Sequence, residues 1–129
     1  MRIRLGEGTK VEAQIRDHVV LTDQIEKVGG ENAAPNPFEL FLASIGTCAG
    51  FYVQAFCRKH KIPTDDIELE MALDRNEETK LIETITIRVS FPLNFPRKYV
   101  PACIKSAEQC TVKKHLQDPP TVLLEAAAG

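Results

Sequence analysis

The sequence has no block of basic residues. Its formal net charge is −2, and acidic and basic side chains are interspersed along the chain. Neither nucleic acid nor an anionic membrane is therefore an expected partner. It offers no apolar run near the roughly 20 residues that a bilayer-spanning helix needs. Its start, Met1-Arg2-Ile3-Arg4, leads into glycine and charge rather than an apolar signal core, so the expected location is the cytoplasm. There is no C-x-x-C pair, which removes a thioredoxin-type motif, and no closely spaced cysteine or histidine pair of the kind zinc sites use. Gly29-Gly30 lacks the Lys-Ser/Thr of a phosphate-binding loop. No Ser-His-Asp arrangement, internal repeat or low-complexity segment stands out.

What remains reads as one soluble globular domain spanning residues 1–129, with 43% hydrophobic and 26% charged residues. A chain this short leaves much of its surface exposed, so association of subunits would help it. Four cysteines are present, Cys48, Cys57, Cys103 and Cys110. In a reducing compartment their default state is the thiol, and a disulfide would be transient and catalytic rather than structural.

Short strand candidates open the chain at Arg2–Leu5, Lys10–Ile15 and His18–Leu21, separated by turns, as in an antiparallel meander. The stretch from Val28 to Pro37 has two glycines and two prolines and reads as a loop. Asn36 and Pro37 suit the N-cap and first position of a helix. That helix runs to about His60 and is apolar nearly all round, which predicts burial on most faces. Ile67–Leu73 and Ile82–Val89 alternate strictly and predict a β-hairpin. A second helix is expected from about Pro96 or Arg97 to Glu108, with Pro101 tolerated only near its first turn. A helical turn follows over Thr111–Leu116, and Thr121–Leu124 is a closing strand candidate. Segregated strands and helices make the class α+β.

Cysteine chemistry needs the thiolate, and burial alone opposes its formation. Cys48 sits among Ala43, Gly46, Ala49 and Gly50, small residues that let a partner approach the helix. The plainer reading of Cys48 is a small core residue. Cys110 precedes Lys113, Lys114 and His115, whose charge could favour a thiolate or could face solvent. Cys57 follows Cys48 by nine positions, half a turn round a helix at about 100° per residue, and reads as a bystander. Cys103 precedes Cys110 by seven positions, so one helix could carry both on one side.

Two separated segments together resemble the OsmC/Ohr family. One is Gly29-Gly30-Glu31-Asn32-Ala33-Ala34-Pro35-Asn36-Pro37-Phe38-Glu39-Leu40 leading to Cys48, and the other is Ser106-Ala107-Glu108-Gln109-Cys110-Thr111-Val112. The resemblance extends from about Val20 onward. It implies an OsmC-like fold, with antiparallel sheets wrapped around a long central helix in an intertwined homodimer and a site at each interface. It implies a thiol peroxidase that reduces organic hydroperoxides or hydrogen peroxide. Cys48 would become a sulfenic acid, Cys110 would resolve it as a disulfide, and an external dithiol, a lipoylated or thioredoxin-like protein, would regenerate the thiols. No bound cofactor is implied.

One position departs from that pattern. Phe38 stands where the peroxidase branches of the family carry a glutamate paired with an arginine. Glu39 is one position off, half a turn from Cys48. Among Arg2, Arg4 and Arg16, the last, just before a turn, is the best-placed candidate for the arginine. The loss of the clamp predicts weak peroxidase activity or a bulky apolar substrate. A rival reading is a non-catalytic module binding a small apolar molecule in a pocket lined by Phe38, Phe41 and Phe51. A second is a metal site built from Cys48, Cys110 and His115, which the spacing disfavours.

Overall fold

The protein was described from a computed structural model, which covers residues 1–127. Three short strands, β1 (Arg2–Leu5), β2 (Val11–Ile15) and β3 (His18–Thr22), form an antiparallel meander. Arg2 pairs with Gln14 and Leu5 with Val11, while Val11 pairs with Thr22 and Ile15 with His18. Arg16, in the tight turn between β2 and β3, has a left-handed backbone at φ 53°. The chain divides within its long helix into two compact units, residues 1–44 and residues from 45 onward.

The first unit is held by a buried carboxylate. Asp23 is 1% exposed. It accepts from the Thr9 hydroxyl and the Gln24 N–H through one oxygen, and from the Glu31 and Ala33 N–H groups through the other. Four donors on one carboxylate satisfy a charge that burial would otherwise oppose. Chiefly through the Thr9 hydroxyl and then the Ala33 N–H, they hold its pKa well below the ordinary carboxylate range. The loop after β3 is thereby folded back on its own start. Gly30 completes it, because a Cβ there would lie 1.9 Å from the Gln24 carbonyl oxygen. Lys10 adds an exposed ion pair to Glu31 at 2.6 Å.

The long helix, α1, spans Pro37–Lys59. Its start is closed by a reciprocal capping box. Glu39 N–H donates to Asn36 Oδ1 at 2.8 Å, and Asn36 N–H donates to Glu39 Oε1 at 3.0 Å. In the second unit, β4 (Glu68–Arg75) and β5 (Ile82–Ser90) form the antiparallel hairpin, with a register shift at Asp74/Arg75. A 3₁₀ turn at Arg97–Tyr99 leads into α2 (Val100–Ala107), and α3 (Thr111–Gln117) follows. Pro101 falls at the start of α2, where no intrahelical N–H is lost. The core gathers Val53 and Cys57 of α1, Phe95, and Cys103 of α2. Gly46 and Gly50 let β4 come close, with Met71 Cε 3.5 Å and Leu69 Cδ2 4.0 Å from where a Cβ would sit.

Four expectations are corrected. α1 buries only the stripe Ile45, Ala49, Val53 and Cys57, at successive i+4 positions, and leaves Phe51 59% exposed. A nearly all-apolar helix is thus not buried on most faces within this chain. By length and composition α1 is apolar enough to cross a bilayer over an 18-residue window, because Leu40 to Cys57 carries no charge. The expected second helix breaks into a 3₁₀ turn and α2 and stops before Glu108, so Cys103 and Cys110 do not share a helix. Thr121–Leu124 pairs with no strand.

The Asp23 latch has a defined pH signature. Its folded pKa is depressed, so its stabilisation is full above the ordinary carboxyl value of about 3.9 and is lost as pH falls through the folded value. Hydrogen-exchange protection of the Gln24, Glu31 and Ala33 amides is expected to hold from pH 7 to 5 and to fall on further acidification. Asp23→Asn should abolish that pH dependence. Gly30→Ala should cost about 1–3 kcal/mol of stability by overpacking, read from denaturant midpoints.

Candidate functional site

Cys48 lies in the middle of α1, where every backbone N–H is committed to the carbonyl four residues back. Its own helix therefore offers the sulfur no main-chain donor. The donors come from the start of α3, where the first N–H groups lack intrahelical partners. The N–H groups of Thr111 and Val112 both hydrogen-bond Cys48, as does the thiol of Cys110. Cys110 is the N-cap of α3, and its Sγ accepts from the Lys113 N–H at 3.4 Å.

The two thiols are polarised in opposite senses. Burial pushes the Cys48 pKa up, but the Cys110 thiol and the Val112 and Thr111 N–H groups more than offset it, leaving its pKa below the ordinary thiol value. Burial pushes Cys110 up as well. Its bond to Cys48 and the charge that forms there reinforce this, while the Lys113 N–H acts against it. Of the two, Cys48 is the thiol biased toward ionisation and Cys110 the one biased to keep its proton. No lysine side chain is needed, since Lys113 acts through its backbone.

The other two cysteines pair with each other. Cys57 and Cys103 are both 0% exposed in the apolar core. Burial raises Cys57, and it raises Cys103 to about 11 with help from Cys57. Both remain protonated and inert. Cys57 does not share the Cys48 environment, as its half-turn offset requires. Cys103 packs on α1 rather than joining Cys110.

A cavity of about 300 Å³ opens beside Cys110. Ile45 and Ala49 of α1, Ile85, Ile87 and Val89 of β5, and Ile104 of α2 give it an aliphatic lining, with Glu108 and Lys113 also on its walls. Phe51 lines a separate shallow groove with Gly50, Gln54 and Leu69. Tyr52, one turn after Cys48, is held edge-on by Phe51 with ring centroids 5.3 Å apart, and its hydroxyl lies 3.5 Å from Thr111 Oγ1.

The thiol pair and all of these partners belong to the second unit. The remaining candidates belong to the first. Phe38 is half-exposed and packs on Phe41 with centroids 5.5 Å apart. Glu39 spends its carboxylate on the capping box, and Arg16 serves the β2–β3 turn. His115 Nδ1 donates to the Thr111 carbonyl at 2.7 Å. Among the described residues no group of three or more His, Cys, Asp or Glu is placed to hold a metal ion. Sequence reasoning missed the Thr111 and Val112 donors, because backbone N–H groups carry no residue signature. It also passed over Tyr52, whose i+4 spacing from Cys48 was the available signal.

Iodoacetamide on the native, reduced protein should alkylate Cys48 first and leave Cys57 and Cys103 unmodified until the core opens. Peptide mapping over a time course checks the order, and early labelling of Cys57 would contradict the burial described.

The family model for OsmC-like proteins matches residues 29–125. Among solved structures, the chain resembles a Psychrobacter arcticus protein provisionally assigned to osmotic stress induction and detoxification response, at 16% identity and TM-score 0.73, covering 88% of this chain and 84% of that one. It also resembles an OsmC-like hydroperoxide resistance protein from Jannaschia sp., at 18% identity and TM-score 0.58, covering 98% and 89%. A third likeness is to the organic hydroperoxide resistance protein OsmC of Legionella pneumophila, at 20% identity and TM-score 0.53, covering 90% and 86%. At these identities the likeness is one of fold. No curated protein gives a significant match.

Proposed function

The chain belongs to the OsmC-like protein family, and from that premise we propose that it is a thiol-dependent peroxidase of oxidative stress defence, reducing organic hydroperoxides or hydrogen peroxide through Cys48 and Cys110. The observation that carries this reading is the opposite polarisation of two hydrogen-bonded thiols, Cys48 toward the thiolate and Cys110 toward the thiol. The names of the Jannaschia and Legionella proteins, which specify hydroperoxide resistance, support the choice of oxidant.

In this mechanism the Cys48 thiolate attacks the terminal oxygen of a hydroperoxide. An S–O bond forms and the O–O bond breaks. The alkoxide departs with the electron pair and takes up a proton, leaving a sulfenic acid and an alcohol. Cys110 then attacks the sulfenic sulfur. Its proton and the displaced hydroxide leave as water, and a disulfide forms. An external dithiol, lipoylated or thioredoxin-like, returns two electrons by thiol–disulfide exchange. The hydrogen bonds from Cys110, Thr111 and Val112 take over the task of a carboxylate–arginine clamp, consistent with Phe38 at the family's glutamate position. The aliphatic cavity beside Cys110 suits a bulky apolar hydroperoxide.

Stopped-flow oxidation of the reduced protein by cumene hydroperoxide and by hydrogen peroxide tests the reading. The expected rate exceeds that of free cysteine and favours cumene hydroperoxide. Because the Cys48 pKa is lowered, the rate should reach its plateau at a lower pH than that of an unperturbed cysteine with the same oxidant. Cys48→Ser should abolish oxidation. Cys110→Ser should still be oxidised once, with the sulfenic acid trapped by dimedone and no disulfide formed.

A homodimer in the cytoplasm is part of the same proposal. Phe51 is 59% and Leu81 68% exposed, which a second subunit would cover. Phe51→Glu should shift the protein toward monomer in sedimentation velocity. The cavity also favours a second reading, a binder of small apolar molecules without turnover. In that case the Cys48→Ser/Cys110→Ser double variant would keep ligand affinity while the wild type showed no peroxide reaction.

A further inference from the structure

A thiolate can break an O–O bond rapidly only if the departing oxygen is stabilised. An alkoxide is a poor leaving group, and a positioned proton donor commonly contributes 10²–10⁴-fold. The three protein groups bonded to Cys48 do not supply that proton. The two N–H groups are backbone amides, and the Cys110 thiol keeps its proton for the later resolving step.

Two residues that neighbour Cys48 carry hydroxyls. Tyr52 follows Cys48 by four positions on α1, so their side chains are neighbours on one helix face. Thr111 bonds Cys48 through its N–H, and its hydroxyl oxygen lies 3.5 Å from that of Tyr52. That distance is too long for the two hydroxyls to satisfy each other well. It suits two donors converging on a single oxygen about 2.8 Å from each. The phenol is steered there by the Phe51 ring edge. Thr111 is exposed and Tyr52 partly so, which puts the hydroxyl pair on the solvent side of the thiols.

We propose that the Tyr52 hydroxyl, aided by that of Thr111, is the catalytic proton donor to the alkoxide released when Cys48 attacks an alkyl hydroperoxide. This deepens the peroxidase reading and rests on it. In the step, the S–O bond forms as the O–O bond breaks, the alkoxide takes the phenolic proton, and the phenolate regains a proton from water. The phenol thus supplies this proton from the thiol's own helix.

The test compares two oxidants that differ in leaving group. Cumene hydroperoxide releases an alkoxide that must be protonated, whereas peracetic acid releases acetate, which needs no proton. Tyr52→Phe is expected to slow Cys48 oxidation by cumene hydroperoxide about 10²-fold while leaving the peracetic acid rate little changed. Thr111→Val, which keeps the N–H bond to Cys48, should show the same selectivity to a smaller degree. The iodoacetamide rate at Cys48 should be unaltered in both, showing that the thiolate and the fold survive. Equal slowing with both oxidants would make Tyr52 a structural residue and overturn the proposal, as would no slowing with either. A wild type no faster than free cysteine toward both oxidants would sink the peroxidase reading and this role together. Fast wild-type oxidation without leaving-group selectivity in Tyr52→Phe would sink this role alone.

Discussion

A cysteine in the middle of an α-helix cannot be stabilised as an anion by its own backbone. Every nearby N–H is already spent on the helix, and burial adds a further penalty. The chemistry at Cys48 therefore depends on bringing a second helix start against it. The break between α2 and α3 does this. By stopping α2 at Ala107 and restarting at Thr111, the chain frees a set of N–H groups and sets Cys110 at their head. The Thr111 and Val112 groups reach Cys48, and those of Lys113 and Val112 act on Cys110. A continuous helix through this region would consume the same donors internally and leave both thiols simply buried.

The contrast between the two cysteine pairs makes the point from within one molecule. Cys57 and Cys103 also touch, between α1 and α2, but no backbone N–H is directed at either. Contact between sulfurs is common to both pairs, and three of the four cysteines are buried while Cys48 is partly so. The backbone donors are present at one pair only, and they turn the pKa of Cys48 downward where that of Cys57 goes up. The pairs are also staggered along α1 in a way that its geometry requires. Positions 48 and 57 lie half a turn apart, so one faces α3 and the other α2.

Much of this was legible in the sequence. The Asn36-Pro37 helix start, the strict alternation in the hairpin and the meander all rest on local chemistry, and local chemistry decided them. Glu39 at the third helical position was a capping-box signal that could have explained the residue without reference to the thiols. The Cys48–Cys110 juxtaposition came from the resemblance and not from spacing, because it is a long-range contact. The Cys57–Cys103 pair escaped for the same reason, and so did the aliphatic cavity, because which side chains converge across β5 and α2 is a property of packing. Burial of α1 on most faces was an inference from composition, and the single chain covers only one stripe. The Asp23 latch was invisible because its partners are mostly backbone amides scattered over the following loop.

The uncharged stretch of α1 carries a consequence for how the protein is made. A ribosome completes this helix before any of the hairpin that packs on it, and β5 ends some 30 residues later. At 5–20 residues per second, that leaves a bilayer-length apolar segment uncovered for a few seconds in every round of synthesis. During that interval the nascent chain presents what a membrane span presents. The same residues that later frame the thiols are thus a hazard of sorting and aggregation at birth, and the speed with which β4 and β5 close over them sets how long it lasts.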